Sequence, residues 1–262
     1  MTYQEGAEAS RQVLLEVWNV LGAFHNDLVL VGGWVPDLWY PRQGHVGSLD
    51  VDIAVSLDAI QGSAYLSIHQ RLLDAGYRQS EGTARFGKEV HSREIAVDLV
   101  SGQYQAGGKS RTIRINTLQI NTLRGLDLAF ESYRVMELSG RMPDGSRNTV
   151  PLQIVSPAAF LLIKAFALRE RRKPKDSYDI AFVLAHHQPS LADLAEQIVP
   201  LLSGNLAREG YNILREKFAT RDSIGPMDAA LIGTEMVDDP VLLREAAWRD
   251  AQSLFREIDQ RL

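Results

Sequence analysis

"LVLVGGW" (residues 28–34), continued after a polar loop by "SLDVDIAV" (48–55), is the stretch on which the fold turns. Asp27 opens a short apolar run that reads as a buried strand ending at Gly32-Gly33, and Pro36 suits the first turn of a short helix through Trp39. The second strand carries Val51, Ile53 and Val55 on one face and Asp50 and Asp52 on the other. Side chains two apart on a strand project to the same side, so these carboxylates stand a few ångströms apart and repel. A divalent cation is the compensation such a pair calls for, because hard oxygen donors suit Mg²⁺. The glycine pair lets a backbone or ligand approach closely, and a following helix N-terminus offers N–H donors to phosphate.

A third acid stands in "REIAVDLVS". Ile95, Val97 and Leu99 face one way there and leave Asp98 on the other side with Ala96. Three carboxylates on neighbouring strands could hold metal ions, activate a hydroxyl and neutralise a leaving pyrophosphate. The bland readings are a simple turn for Gly-Gly, a solvated pair for Asp-x-Asp, and an ion pair of Asp98 with Arg93 or Arg111. A second constellation is "SPAAFLLIKAFALRERRKPKDSYDIAFVL". Its Lys164 lies on an otherwise apolar helix, with the stem packed and the ammonium placed. Lys175, Asp176 and Asp179 open the next helix, where the structural account has Asp176 as a cap and Lys175 paired with Asp179.

Around these motifs the pattern is mixed α/β and then helical. Apolar spacing predicts a helix over 7–24 and another over 59–75 with Gly76 as its stop, then strands near 77–86 and 93–100. "QYQAGGKS" is a turn-rich connection. Strands near 133–138 and 149–155 are joined by "PDGS" as a hairpin. Ser156 caps a helix with Pro157 at its first position. Helices follow at roughly 157–171, 175–187, 190–203, 205–219 and 240–261. The expected architecture is an α/β domain over 1–155, a mixed sheet with flanking helices, followed by a helical domain over 156–262.

Composition narrows the function classes. The chain of 262 residues has no cysteine, which removes disulfides, thiolate catalysis and cysteine-bound zinc. Six histidines make a dedicated zinc site a poor expectation. His45 is within reach of a phosphate but reads as a solvated loop residue; His186 and His187 at a helix end suit terminal carbonyls. Trp34, Trp39 and Tyr40 suit either base stacking or a pocket wall. No apolar run spans a membrane, and the N-terminus has no signal-peptide character, so a cytoplasmic protein with no membrane partner is expected. The net charge of −5 argues against a surface basic all over. Basic residues concentrate instead at 164–175 (Lys164, Arg169, Arg171, Arg172, Lys173, Lys175) and at Lys109, Arg111 and Arg114.

A hydrophobic strand, Gly-Gly, a gap, Asp-hydrophobic-Asp and a later strand Asp together resemble the nucleotidyltransferase superfamily, the fold of polymerase β and antibiotic adenylyltransferases. The gap of residues 34–49 is longer than usual there, and Trp34 stands where a small or hydroxylated residue is common. The helix lysine, basic stretch and Lys-Asp-x-x-Asp resemble the later motifs of the AbiEii-type toxins of abortive-infection toxin–antitoxin systems. The resemblance covers roughly 28–55, 92–101 and 156–185. It implies nucleotide binding by Gly32, Gly33 and Lys164 and metal binding by Asp50, Asp52 and Asp98. It further implies a catalytic set of Asp50, Asp52, Asp98, Lys164 and Asp176, with Mg²⁺ or Mn²⁺ as cofactor. The implied reaction moves NMP from an NTP to an acceptor hydroxyl, with RNA or tRNA as acceptor, the 164–175 run facing it, and a cognate antitoxin as partner. Two rivals are an aminoglycoside-like antibiotic adenylyltransferase and a non-catalytic nucleotide-binding module.

Overall fold

The computed structural model describes residues 3–81, 83–102, 111–115, 118–171, 173–233 and 239–262. The turn-rich connection after Gly102 lies outside them, as do Lys109 and Arg172. The chain divides into two compact units, residues 1–35 with 46–155 and residues 36–45 with 156–262.

In the first unit, α1 (Tyr3–Val20) buries Val13, Leu14, Val17 and Trp18, a stripe at three- and four-residue spacing. β1 (Leu28–Val31) is buried at every position and gives way to a 3₁₀ turn at Gly32–Trp34. The short helix α2 (Val35–Trp39) carries the chain out of this unit, and β2 (Asp50–Val55) follows its return. The helix expected over 59–75 is two: α3 (Leu57–Gln61), capped by the Ser56 hydroxyl accepting the Ala59 N–H at 3.1 Å, and α4 (Ala64–Asp74). Gly62, in an extended conformation, breaks them apart, and Gly76 ends α4 with a φ of +84°.

The strand expected over 77–86 is also two short pieces, β3 (Arg78–Gln79) and β4 (Arg85–Val90), because the chain turns between Ser80 and Arg85. β5 (Arg93–Gly102) is the long strand of the sheet. β6 (Arg111–Ile115) and β7 (Leu118–Leu123) form an antiparallel pair that sequence patterning did not single out. After the single turn α5 (Leu128–Glu131) comes the expected hairpin, β8 (Tyr133–Arg141) and β9 (Arg147–Val155). The sheet runs β3-β4-β5-β2-β1-β9-β8. One edge of β5 is shared: β4 pairs with its first part and β7 with its last. The pairs β2–β5, β1–β9 and β5–β7 are parallel and the rest antiparallel, which makes this the expected mixed sheet. Val51, Ile53, Phe86, Ile95, Val97 and Leu99 form a fully buried layer on one face, with α1 packed against β2, β4 and β5.

In the second unit all regular elements among the described residues after Val155 are helices. α6 (Pro157–Glu170) starts as expected, with the Ser156 hydroxyl accepting the Ala159 N–H at 3.2 Å and Pro157 in the first turn. α6 is apolar around most of its circumference, the signature of a central helix, and α7 (Pro174–His186), α8 (Leu191–Leu201) and α9 (Asn205–Lys217) pack on it. α10 (Ile224–Gly233) and α11 (Pro240–Asp259) complete the unit beside α7. No helix among the described residues is long and apolar enough to cross a membrane.

Candidate functional site

The acid site is built from register. β2 and β5 run parallel with Asp52 beside Asp98 and Asp50 beside Ala96. Alternation keeps Val51 and Val97 in the core, so all three carboxylates emerge on the opposite face, half-buried. One oxygen from each of Asp50, Asp52 and Asp98 lies within 4.8 Å of the others. Strands hydrogen-bonded about 4.8 Å apart bring this about without any loop having to fold over. The donor set is hard oxygen alone, which fits Mg²⁺, Mn²⁺ or Ca²⁺ and not a soft metal.

The surroundings orient these acids. Ser48, itself buried, donates from its hydroxyl to Asp50 Oδ1 at 2.7 Å. Trp34, buried at 3% exposure, gives its indole N–H to Ser10 Oγ at 3.0 Å. That makes it a wall of the first unit. Gly32 has a φ of +74°, and a Cβ there would collide with the Asp52 carboxylate. The glycine is thus demanded twice, by backbone and by the acid packed on it. Gly33 is buried in the 3₁₀ turn. Asp98 pairs with Arg85, at 3.2 Å, and not with Arg93. Arg85 stands directly opposite Asp98 in the antiparallel β4–β5 register, whereas Arg93 is on the other face, against Gly6 of α1. Neither Ser48 nor Arg85 stood out in the sequence. Ser48 could have been found two residues ahead of Asp50; Arg85 could not, because β4's register was not readable.

The second unit holds an ionic cluster of its own residues. Lys164, 7% exposed, donates to Asp176 Oδ1 at 2.7 Å and to Asp179 Oδ2 at 2.9 Å. Lys175 and His45 both reach Asp179 Oδ1, at 2.9 and 3.0 Å. Arg171 forks onto Asp176, at 3.1 and 3.3 Å. Asp176 is therefore no helix cap; Lys173 occupies that position, and the carboxylate turns to Lys164 and Arg171 instead. The expected Lys175–Asp179 pair is present. Burial works against the charged forms, yet Lys164 and its neighbours outweigh it: Asp176 and Asp179 are held below the ordinary carboxylate range, and the two carboxylates push Lys164 upward.

His45 is not solvated. Its side chain is fully buried, stacked on Tyr178 at 5.3 Å between ring centroids, and burial lowers its pKa below the ordinary value. Tyr40 bonds His187 through its hydroxyl at 2.8 Å, and His186 bonds the Phe182 carbonyl. The basic run 164–175 is largely committed within the unit: Arg169 pairs with Glu209 at 2.7 Å, and Lys164, Arg171 and Lys175 serve Asp176 and Asp179. It is not a plain basic patch.

The chain matches a family model over residues 13–255. That family is described as the nucleotidyl transferase AbiEii toxin of type IV toxin–antitoxin systems. The chain belongs to the AbiEii family. Among curated proteins none matches it. AbiEii proteins are nucleotidyltransferase toxins, so a nucleotide substrate and an antitoxin counterpart come with membership.

Proposed function

We propose that this AbiEii protein transfers NMP from an NTP to an acceptor hydroxyl on RNA, with Asp50, Asp52 and Asp98 holding Mg²⁺ or Mn²⁺. The observation that carries the reading is the convergence of these three carboxylates from two adjacent parallel strands. Isolated charges this close repel, and a divalent cation removes the penalty. In this proposal residues 1–155 are the nucleotidyltransferase-like α/β domain and 156–262 the helical domain.

The chemistry follows from the groups. The acceptor oxygen attacks the α-phosphorus, the bond from that phosphorus to the bridging oxygen breaks, and pyrophosphate leaves with its charge. A bound divalent cation supplies Lewis acidity for the α-phosphate and the leaving group. Asp98 takes the hydroxyl proton or stands beside the atom that does, while Ser48 keeps the Asp50 carboxylate in one orientation. Gly32 and Gly33 offer backbone approach to phosphate. Lys164 and Asp176, paired in the buried cluster of the second unit, are the further residues on which activity is proposed to depend.

The test is incubation of the protein with each labelled NTP, Mg²⁺ and total RNA. Label is expected in RNA with wild type and reduced at least 100-fold with Asp50→Ala/Asp52→Ala, in line with the loss of a group that stabilises transition-state charge by about 10²–10³. Equal labelling by the two proteins sinks the assignment. Pyrophosphate release with no labelled RNA moves the acceptor to another class.

A further inference from the structure

Among the described residues, Arg85 forms an ion pair with the acid cluster. It lies on β4, opposite Asp98, in the row Arg85–Asp98–Asp52–Val31 that crosses four strands. Its guanidinium is 3.2 Å from Asp98 Oδ2, and its side chain is 52% exposed against 21% for Asp98. A half-exposed arginine on a long stem loses little by swinging into water, whereas the three carboxylates, fixed by strand backbone, cannot move apart. One carboxylate oxygen thus has two claimants, a tethered monovalent cation and any divalent cation that the cluster binds.

We propose that Arg85 is a resident counter-charge of the cluster and competes with the divalent cation for Asp98. The proposal rests on the reading of Asp50, Asp52 and Asp98 as the metal site. With no divalent cation, the guanidinium offsets part of the repulsion among the acids. When the cation binds, Asp98 exchanges one positive partner for another and Arg85 is released to solvent. Arg85 is a positioning residue in this scheme, since it acts through Asp98. The exchange sets two opposite effects of removing it: the metal-free protein is weakened, and metal binding is tightened, because the cation no longer displaces a partner. A residue that merely packed β4 against β5 would weaken both states alike.

Mn²⁺ titration calorimetry and thermal unfolding, with and without Mn²⁺, on the full chain as wild type, Arg85→Met and Arg85→Lys test this. Arg85→Met is expected to bind Mn²⁺ about two- to five-fold tighter, the range that an exposed ion pair commands. It should unfold at lower temperature without Mn²⁺ and at the wild-type temperature when saturated. Arg85→Lys, which keeps the charge, should behave close to wild type. Equal or weaker Mn²⁺ binding by Arg85→Met, alongside clear binding by wild type, overturns the role of Arg85 and leaves the metal site standing. No Mn²⁺ binding by wild type overturns both.

Discussion

Gly32 concentrates most of what can be learned at the scale of one residue. Its positive φ and the Asp52 carboxylate on its α-carbon leave no room for a methyl group. Gly32→Ala is expected to cost about 1–3 kcal/mol of stability, the usual penalty for a residue held in a sparsely populated backbone region. It should also displace Asp52 and weaken Mn²⁺ binding; urea unfolding and metal titration read the two separately. If the variant matches wild type in both, the collision is relieved by a backbone shift and the argument fails. The need for a small residue here was legible as a glycine pair after an apolar strand. Its reason was not, because the acid that fills the space is far along the chain. Asp98 teaches the same lesson: the sequence pointed to Arg93 or Arg111, and strand register puts Arg85 opposite it.

Among elements, the α6–α7 pair decides how the second unit holds together. A lysine among Phe160, Leu161 and Phe166 announced that its ammonium must find buried partners. Lys164→Met removes the cation shared by Asp176 and Asp179 and leaves two carboxylates facing each other in a poorly hydrated site. The expected loss is about 3–5 kcal/mol by urea denaturation, the range for breaking a buried pair from one side. A loss below about 1 kcal/mol would show that Lys175, Arg171 and His45 suffice to hold the acids. α10 was missed by sequence patterning: its Gly225 and Pro226 are poor helix formers, and contacts with α7 and α11 override propensity. β6 and β7 were missed because "TIRI" and "LQINTL" are short and mixed in polarity, and their partner β5 is known only once the sheet is built.

For the whole molecule, acid stability follows from where the buried charges sit. The described residues with buried carboxylates held below the ordinary range, Asp176 and Asp179, both lie in the second unit, as does His45. His45 is flanked by Asp179, Lys175 and Asp37, and its folded pKa is depressed. A depressed folded pKa means that the unfolded chain binds protons first. The contribution is therefore complete above the unfolded pKa and disappears as pH falls. For His45 that loss starts below about pH 6.5, and for the two aspartates below about pH 4. Hydrogen exchange at falling pH should show residues 156–262 losing protection ahead of the sheet in 46–155. Simultaneous loss, or the reverse order, contradicts this.

The sequence by itself determined the α/β-then-helical order of elements, the buried strand before Gly32, the acid pair on β2 and the third acid on β5. Each rests on local rules: period-two alternation, helix spacing, a cap with proline behind it. Only the tertiary structure decided that Asp52 stands beside Asp98, that Arg85 balances it, and that His45 is buried against Asp179. It also decided that residues 36–45 belong with the second unit, although they lie in sequence between the glycine pair and the acid strand. Those are pairings between residues distant along the chain. Strand register and helix packing set them through the burial of apolar faces, and no window of neighbouring residues records that choice.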